Sequence, residues 1–271
     1  MHDLAERPID GPGGPRRTDD LCQQLAGDRY LIDGRELSLP MSIADCALMV
    51  QVFAVPTAAA AALMADTGLR VAELWPGRSA VTLMGVRYRD NPLGDYNEAV
   101  ISLPVYPPGT RALPLLGGLD VLRGTAAHFV HAMPVDQPFT AHAGRFMWGY
   151  PKFLATIDVT FEESEAHARF SADGELVFAM TTPAGGARRA AESASNLTLR
   201  GGQLRRVEAR FEGEGLSVKL GGARPEIGEH HPLARDLRSL GLPARPLLSA
   251  SLRSASAVFQ AAQVLGTGLG H

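Results

Sequence analysis

The sequence predicts a mainly β protein in which short strands form a closed or sandwiched antiparallel sheet. From residue 29 onward, short segments of alternating apolar and polar residues are separated by Gly, Pro, Asn and Asp. Strands at this spacing favour an antiparallel barrel or sandwich over alternating strand–helix–strand units. The apolar fraction of 45% and the charged fraction of 20% are typical of a globular chain.

The length of 271 residues allows one large domain or two small ones. No linker-like segment divides the chain, so we expect a single domain over residues 29–271. Residues 1–28 begin with a polar stretch rich in Pro and Gly. We expect them to form a flexible tail or an arm packed on a neighbouring subunit.

The first half of the chain contains a hairpin, a helix and several strands. Residues 29–39 alternate around the turn dipeptide Asp33-Gly34, which indicates a β-hairpin. The alanine-rich stretch after Pro56 favours a helix, with Thr57 as its N-cap and Gly68 as its end. Residues 107–116 are predicted to form a loop. Four further segments have the pattern of strands: residues 49–55, 70–74, 80–89 and 96–105.

The second half continues with short strands and three less certain segments. Residues 125–133 fit a helix or a strand, and residues 186–195 fit a helical turn or a loop. Residues 246–265 carry apolar side chains at mixed spacing, and we expect them to end as a helix. The predicted strands are residues 155–161, 166–171, 176–182, 204–213 and 216–220.

Charge and composition exclude several classes of protein. The net charge of −3 leaves no basic surplus to hold nucleic acid or an anionic membrane, so neither partner is expected. No apolar run approaches the roughly 18 residues of a membrane span. The start of the chain lacks the apolar core of a secretion signal, and two cysteines are too few for a disulfide scaffold. A cytoplasmic location is therefore predicted.

Lysine is the residue whose use stands out. Only Lys152 and Lys219 occur among 26 basic residues, the others being arginine. By default a lysine beside aromatic residues packs its stem on them and keeps its ammonium in water. Alternatively, a lysine removed from water can attack a ketone as a neutral amine and form a Schiff base, which arginine cannot do. Lys219 is predicted to be an ordinary exposed strand lysine.

The residues around Lys152 resemble the acetoacetate decarboxylase-like family. In that family the Schiff-base lysine follows a Gly-Arg element within a Tyr/Phe-Pro-Lys motif, as in Gly144-Arg145 and Tyr150-Pro151-Lys152 here. The resemblance extends over about residues 29–265. Further similar elements are residues 34–36, 94–98, 129–138 and 231–243.

The resemblance implies a closed, cone-like antiparallel β-barrel with a few flanking helices, assembled as a homo-oligomer. It implies no metal and no organic cofactor. Lys152 would be the amine nucleophile, Glu98 would handle protons beside the imine, and Arg35 would hold the substrate carboxylate. Glu98 would share a strand face with Tyr96, a partly apolar place for a carboxylate. Aromatic neighbours of the lysine would contact the substrate: Trp148, Tyr150 and Phe153.

The predicted function is that of a Schiff-base lyase that decarboxylates a β-keto acid of the acetoacetate type. In acetoacetate decarboxylase, the standard example of an activated lysine, a cationic neighbour or desolvation favours the neutral amine. Here Phe153 replaces the second lysine of the well-known decarboxylases. Imine-dependent aldolase or dehydratase chemistry on an α-keto acid such as pyruvate therefore stays an alternative, as does a non-catalytic ligand-binding barrel.

Overall fold

The computed structural model describes residues 9–11, 14–110 and 126–267. Most of this part of the chain is β-strand. The strands are β1 (Ile9–Gly11), β2 (Gly14–Arg16), β3 (Cys22–Gln24), β4 (Arg29–Ile32), β5 (Arg35–Ser38), β6 (Met41–Pro56), β7 (Arg70–Val71), β8 (Arg78–Arg89), β9 (Tyr96–Tyr106), β10 (Ala127–Ala132), β11 (Thr156–Phe161), β12 (Glu165–Ala172), β13 (Glu175–Pro183), β14 (Arg188–Arg200), β15 (Gln203–Leu220), β16 (Glu226–Ile227), β17 (Leu248–Phe259) and β18 (Gln263–Thr267).

Short helical segments connect the strands. A 3₁₀ turn, Ala65–Thr67, follows the second helix, and a π-helical turn, Gly144–Trp148, follows the third. No helix in the described ranges is long and apolar enough to cross a membrane. The α-helices are α1 (Thr18–Leu21), α2 (Thr57–Leu63), α3 (Pro138–Ala143) and α4 (Pro232–Ser239).

Seven strands close into a barrel in the order β10-β14-β15-β17-β6-β8-β9, and pairing of β9 with β10 completes the circle. The predicted closed barrel with flanking helices is thus confirmed. All of these pairings are antiparallel except that of β10 with β14, where His128 lies opposite Asn196 in a parallel register. Closure pairs both edges of every barrel strand, which removes the exposed edges that promote aggregation.

Alternation along β9 directs side chains into the barrel and out of it. Glu98 and Val100 line the interior, whereas Ala99 and Ile101 belong to a core on the outside of the barrel wall. Because both faces are covered, nearly all of this strand is buried. The sequence of β9 is therefore mostly apolar, with Asn97, Glu98 and Ser102 as its polar residues.

A second sheet, in the order β11-β12-β13-β16, packs against the outside of the barrel. The two sheets approach closely at Gly85 on β8, where an added Cβ would lie 2.7 Å from the Cβ of Ala168. Phe170 and Phe178 pack edge to face behind this contact, with their ring centroids 5.6 Å apart. The second sheet thus packs closely against the outer face of the barrel wall.

The predicted helix after Pro56 is α2, but Thr57 is its first helical residue and not its N-cap, and α2 ends at Leu63, with Gly68 ending the 3₁₀ turn that follows. Two further predictions of local structure were wrong. The expected C-terminal helix is β17 followed by β18, and the expected loop or helical turn at residues 186–195 is part of β14. β17 pairs with β15 on one side and β6 on the other, and β14 pairs along its length with β15. Pairing within the barrel therefore overrides weak local preferences.

Other segments follow the sequence more closely. The predicted hairpin is confirmed as β4 and β5, with positive φ angles at Asp33 and Gly34. The undecided segment at residues 125–133 contains β10, and residues 111–116 of the predicted loop lie outside the described part of the chain. Within the predicted N-terminal arm, β3 pairs with β4.

Candidate active site

Lys152 follows a tight turn, and its side chain packs against that turn. The π-helical turn ends at Gly149, which has a φ of 76°, and three residues later the chain reaches Lys152. A Cβ on Gly144 would overlap the Cδ and Cε atoms of Lys152. Glycine at this position therefore lets the lysine stem pass directly over the turn.

Arg145 holds the backbone of Lys152 from behind. The side chain of Arg145 is 2% exposed, and its Nε donates a hydrogen bond of 2.5 Å to the carbonyl oxygen of Lys152. Its Nη1 lies 3.5 Å from the hydroxyl of Thr18 on α1, and its carbonyl oxygen accepts from Arg200 on β14. A buried arginine thus ties the lysine segment to two other elements.

The Lys152 ammonium lies beside the Glu98 carboxylate inside the barrel. The distance from Nζ to Oε2 is 2.6 Å, and each residue is only 3% exposed. A buried pair at this distance forms a charge-assisted hydrogen bond across which a proton can pass. The structure therefore joins two of the predicted site residues, 54 positions apart in sequence.

Two tyrosines complete the surroundings of the pair. The hydroxyl of Tyr88 lies 3.4 Å from Oε1 of Glu98, and the ring centroid of Tyr96 lies 5.2 Å from Nζ of Lys152. Burial, together with the nearby Glu98 charge, raises the pKa of both Tyr88 and Tyr96 well above the ordinary value. Both phenols are therefore neutral at physiological pH.

A cavity of about 400 Å³ opens from this group, and its walls are mostly apolar. Its volume is in the range of pockets that bind small organic molecules. Tyr88, Tyr96 and Leu93 are buried beside the lysine, whereas Val50 and Val52 are more exposed. The pair thus lies at the more buried end of the cavity. The other lining residues include Met41, Ile43, Thr82, Met84, Val100, Ser102, His128, Met133, Asn196, Phe211 and Phe259.

The aromatic neighbours of Lys152 divide between two cores. Trp148 and Tyr150 line the cavity, where they were expected. Phe153 does not: it belongs to the core outside the barrel wall, with its ring centroid 6.3 Å from that of Phe170. Because successive side chains of an extended segment point to opposite sides, Lys152 and Phe153 cannot both face the cavity.

Arg35 is not brought to Lys152. The residue is exposed on β5, which belongs to the small sheet β3-β4-β5 and not to the barrel. Its guanidinium lies 4.5 Å from the ring centroid of Phe139 and borders a separate cavity of about 860 Å³ that His142 also lines. The expected carboxylate-binding role of Arg35 has no support in this geometry.

Sequence reasoning placed Tyr96 on the strand face of Glu98 without giving it a role, and it missed Tyr88. Their position follows from strand pairing, since Tyr88 and Tyr96 lie opposite each other on β8 and β9, and their rings stack at 4.6 Å. The alternation that places Glu98 inward also places Tyr96 inward, so the signal was present once β8 was aligned with β9.

Within residues 9–11, 14–110 and 126–267, no three His, Cys, Asp or Glu side chains form a group that could hold a metal ion. The chemistry offered by the cavity is that of an amine, a carboxyl group and phenols.

One protein family matches the chain. The family model described as acetoacetate decarboxylase matches residues 34–218, more than half of the chain. No curated protein sequence matches.

Solved structures of similar fold include an acetoacetate decarboxylase from Legionella pneumophila, at 14% identity and a TM-score of 0.60, covering 92% of this chain and 93% of that one. A second acetoacetate decarboxylase structure has 15% identity and a TM-score of 0.57, with coverage of 85% and 91%. The enduracididine biosynthesis enzyme MppR, complexed with pyruvate, has 14% identity and a TM-score of 0.52, with coverage of 85% and 92%. At these identities the structures show a common fold, and the family model shows more: the chain belongs to the acetoacetate decarboxylase family of enzymes.

Proposed function

We propose that the protein is a lyase that decarboxylates a β-keto acid through a Schiff base on Lys152. The observation that carries this proposal is the 2.6 Å contact between Nζ of Lys152 and Oε2 of Glu98 at the more buried end of an apolar cavity. The lysine is one of only two in the chain, and the other, Lys219, is exposed on β15.

The first step needs a neutral amine. A proton that passes from Nζ to Oε2 along their 2.6 Å hydrogen bond converts the ammonium and carboxylate into an amine and a carboxylic acid. The amine then attacks the ketone carbon of the substrate. Loss of water from the adduct gives an imine, and the Glu98 carboxyl group supplies the proton that the departing oxygen requires.

Carbon–carbon cleavage follows from the protonated imine. Its nitrogen accepts the electron pair of the bond to the carboxylate, so CO2 leaves and an enamine remains. A proton delivered to the enamine carbon regenerates the iminium, and water then releases the ketone product and the amine. Glu98 is the acid closest to this nitrogen within the described cavity wall.

The phenols of Tyr88 and Tyr96 are proposed to shape the polar end of the cavity. Both are neutral, so each can donate one hydrogen bond without adding charge. Tyr88 already lies near Oε1 of Glu98 and keeps that carboxyl group in position. The cationic iminium meanwhile faces the Glu98 carboxylate and the ring of Tyr96, as the ammonium does now.

The test is CO2 release from β-keto acids by three matched proteins: the natural chain, Lys152→Arg and Lys219→Arg. Each variant keeps the positive charge and removes one primary amine. The natural protein and Lys219→Arg are expected to release CO2 well above the spontaneous rate. Lys152→Arg is expected to show only the spontaneous rate, and equal release by Lys152→Arg would overturn the proposal.

The same proteins separate decarboxylation from aldolase chemistry. If pyruvate forms a reducible imine on Lys152 and no β-keto acid releases CO2, the reaction is an aldol or dehydration step and not decarboxylation. If neither occurs, the cavity is a ligand-binding site without imine chemistry.

A further inference from the structure

The cavity continues far beyond the Lys152–Glu98 pair. Along β9 the side chains of Glu98, Val100 and Ser102 face it in turn. The strand rise of about 3.3 Å per residue places Ser102 roughly 13 Å from Glu98 along the strand. Ser102 lies opposite Thr82 on β8, which also lines the cavity. The cavity therefore extends to this level along two neighbouring strands.

The intermediate walls are apolar. Strand register places aliphatic side chains beside the run from Glu98 to Ser102: Val50 lies opposite Met84, which lies opposite Val100, and Val52 lies one step further out, opposite Thr82. Such walls offer burial to alkyl or aryl groups and no hydrogen bonds. Thr82 and Ser102 lie opposite each other at the outer level, and the remaining polar lining residues are His128, Asn196 and Glu192, of which Asn196 donates to the Tyr150 hydroxyl.

Fixed positive charge is nearly absent from this cavity. Lys152 is the single lysine or arginine among the residues described as lining it, and its charge is already paired with Glu98. A short keto acid would therefore find no guanidinium to hold its carboxylate. The free energy of binding therefore has to come from apolar contact along β9 between Glu98 and Ser102. The strand rise gives this stretch a length of about 13 Å.

We propose that the substrate is a β-keto acid with an unbranched apolar chain of medium length, which lies along Met84 and Val100 toward Ser102. This inference rests on the proposed function and adds the substrate class. The keto carbon would lie at Lys152, and the chain would occupy the apolar part of a cavity of about 400 Å³. Acetoacetate would fill only the more buried end.

The direct test compares kcat/KM for decarboxylation of acetoacetate, β-ketohexanoate and β-ketooctanoate by the natural protein. Each buried methylene is expected to raise kcat/KM about fourfold, the equivalent of its transfer free energy. Two methylenes per step therefore give an increase of roughly fifteenfold until the cavity is filled. Equal or falling values from acetoacetate onward would overturn the inference.

A variant pair locates the effect in the cavity. Ser102→Phe places a ring across the predicted path of the chain, whereas Ser256→Phe makes the same exchange at an exposed position of β17. We expect Ser102→Phe to lower the ratio of kcat/KM for β-ketododecanoate, whose chain is long enough to approach Ser102, to that for acetoacetate at least tenfold, and Ser256→Phe to leave the ratio unchanged. An unchanged ratio in Ser102→Phe that is folded by circular dichroism would contradict the inference.

The outcomes distinguish this inference from the function on which it rests. Decarboxylation that depends on Lys152 but prefers acetoacetate leaves the proposed function standing and removes the medium-chain substrate. If no acid of the series loses CO2, both are overturned.

Discussion

Glu98 is a carboxylate in a place that strongly disfavours an isolated charge. It is 3% exposed, its Oε2 contacts the Lys152 ammonium, and its Oε1 faces the Tyr88 hydroxyl. Removing one partner of such a buried pair leaves an uncompensated charge and typically costs about 3–5 kcal/mol of stability. The pair therefore contributes to the stability of the fold as well as to the proposed chemistry.

The Glu98→Gln variant separates proton transfer from packing. Gln keeps the shape and a hydrogen bond to Lys152 but cannot exchange a proton, so we expect kcat for CO2 release to fall by about 10²–10⁴. Initial rates at saturating substrate measure this. The control is Tyr88→Phe, which removes a hydroxyl 3.4 Å from the carboxylate and is expected to cost less than Glu98→Gln. An unaltered kcat in Glu98→Gln would exclude Glu98 from the chemistry.

At the level of single residues, the resemblance to the family predicts Lys152 and Glu98, and each is also unusual where it stands. One is a lysine in an arginine-rich chain, and the other is a carboxylate within an apolar strand. Arg35 could not be placed in this way. The distance of its hairpin from the barrel interior depends on how the β3-β4-β5 sheet packs, which local pattern does not encode.

The π-helical turn Gly144–Trp148 is the element on which the site depends most. Trp148 of this turn lines the cavity, and Arg145 of the same turn donates a hydrogen bond to the carbonyl oxygen of Lys152. Gly144 leaves the space through which the lysine stem passes. Such turns are found preferentially at functional sites, because the extra residue redirects a side chain.

The Gly144→Ala variant tests this arrangement. The added methyl overlaps Cδ and Cε of Lys152, and since that side chain is flexible, the expected result is a displaced amine in a folded protein. We expect kcat to fall at least tenfold with a small change in thermal midpoint.

Gly85→Ala is the control for the Gly144 variant. Its methyl would overlap the Cβ of Ala168 between the two sheets. A Cβ atom is fixed to its backbone, so Ala168 cannot move aside easily. Gly85→Ala should therefore lower the thermal midpoint while the folded fraction keeps its kcat. If Gly144→Ala is both stable and fully active, the turn does not position the lysine.

Strands and helices could be predicted where their own pattern was strong. The hairpin β4–β5 carries its turn residues Asp33 and Gly34, and its position was correct. β14 and β17 carry small and polar residues without clear alternation, and they become strands because barrel neighbours supply hydrogen bonds on both sides. That information lies in segments far away in sequence.

Across the whole molecule, the closed barrel keeps several phenols away from water. The pKa values of Tyr88, Tyr96 and Tyr150 are raised, first of all by burial. The barrel itself could be predicted from the resemblance and the strand spacing. Self-association and a cytoplasmic location stay predictions, since they concern surroundings that one chain does not contain.

These tyrosines predict how stability depends on pH. In the unfolded chain a tyrosine ionises near pH 10, whereas in the folded protein it stays protonated to higher pH. The unfolded state therefore loses protons first, and the free energy of unfolding contributed by these groups is intact below pH 10 and falls as pH rises above it. Urea unfolding from pH 8 to 11, read beside tyrosinate absorbance, measures this. Ionisation of all five tyrosines near pH 10 in a fully folded protein would contradict it.

The central claim, that Lys152 forms an imine with a keto acid, is tested most directly by trapping with borohydride. Hydride reduces the carbon–nitrogen double bond to a stable secondary amine, so the substrate-derived mass stays on the peptide and can be located by tandem mass spectrometry. The account predicts one adduct, on the peptide with Lys152, and none in Lys152→Arg. Equal labelling of Lys219, or no adduct with any keto acid that the protein decarboxylates, would contradict it.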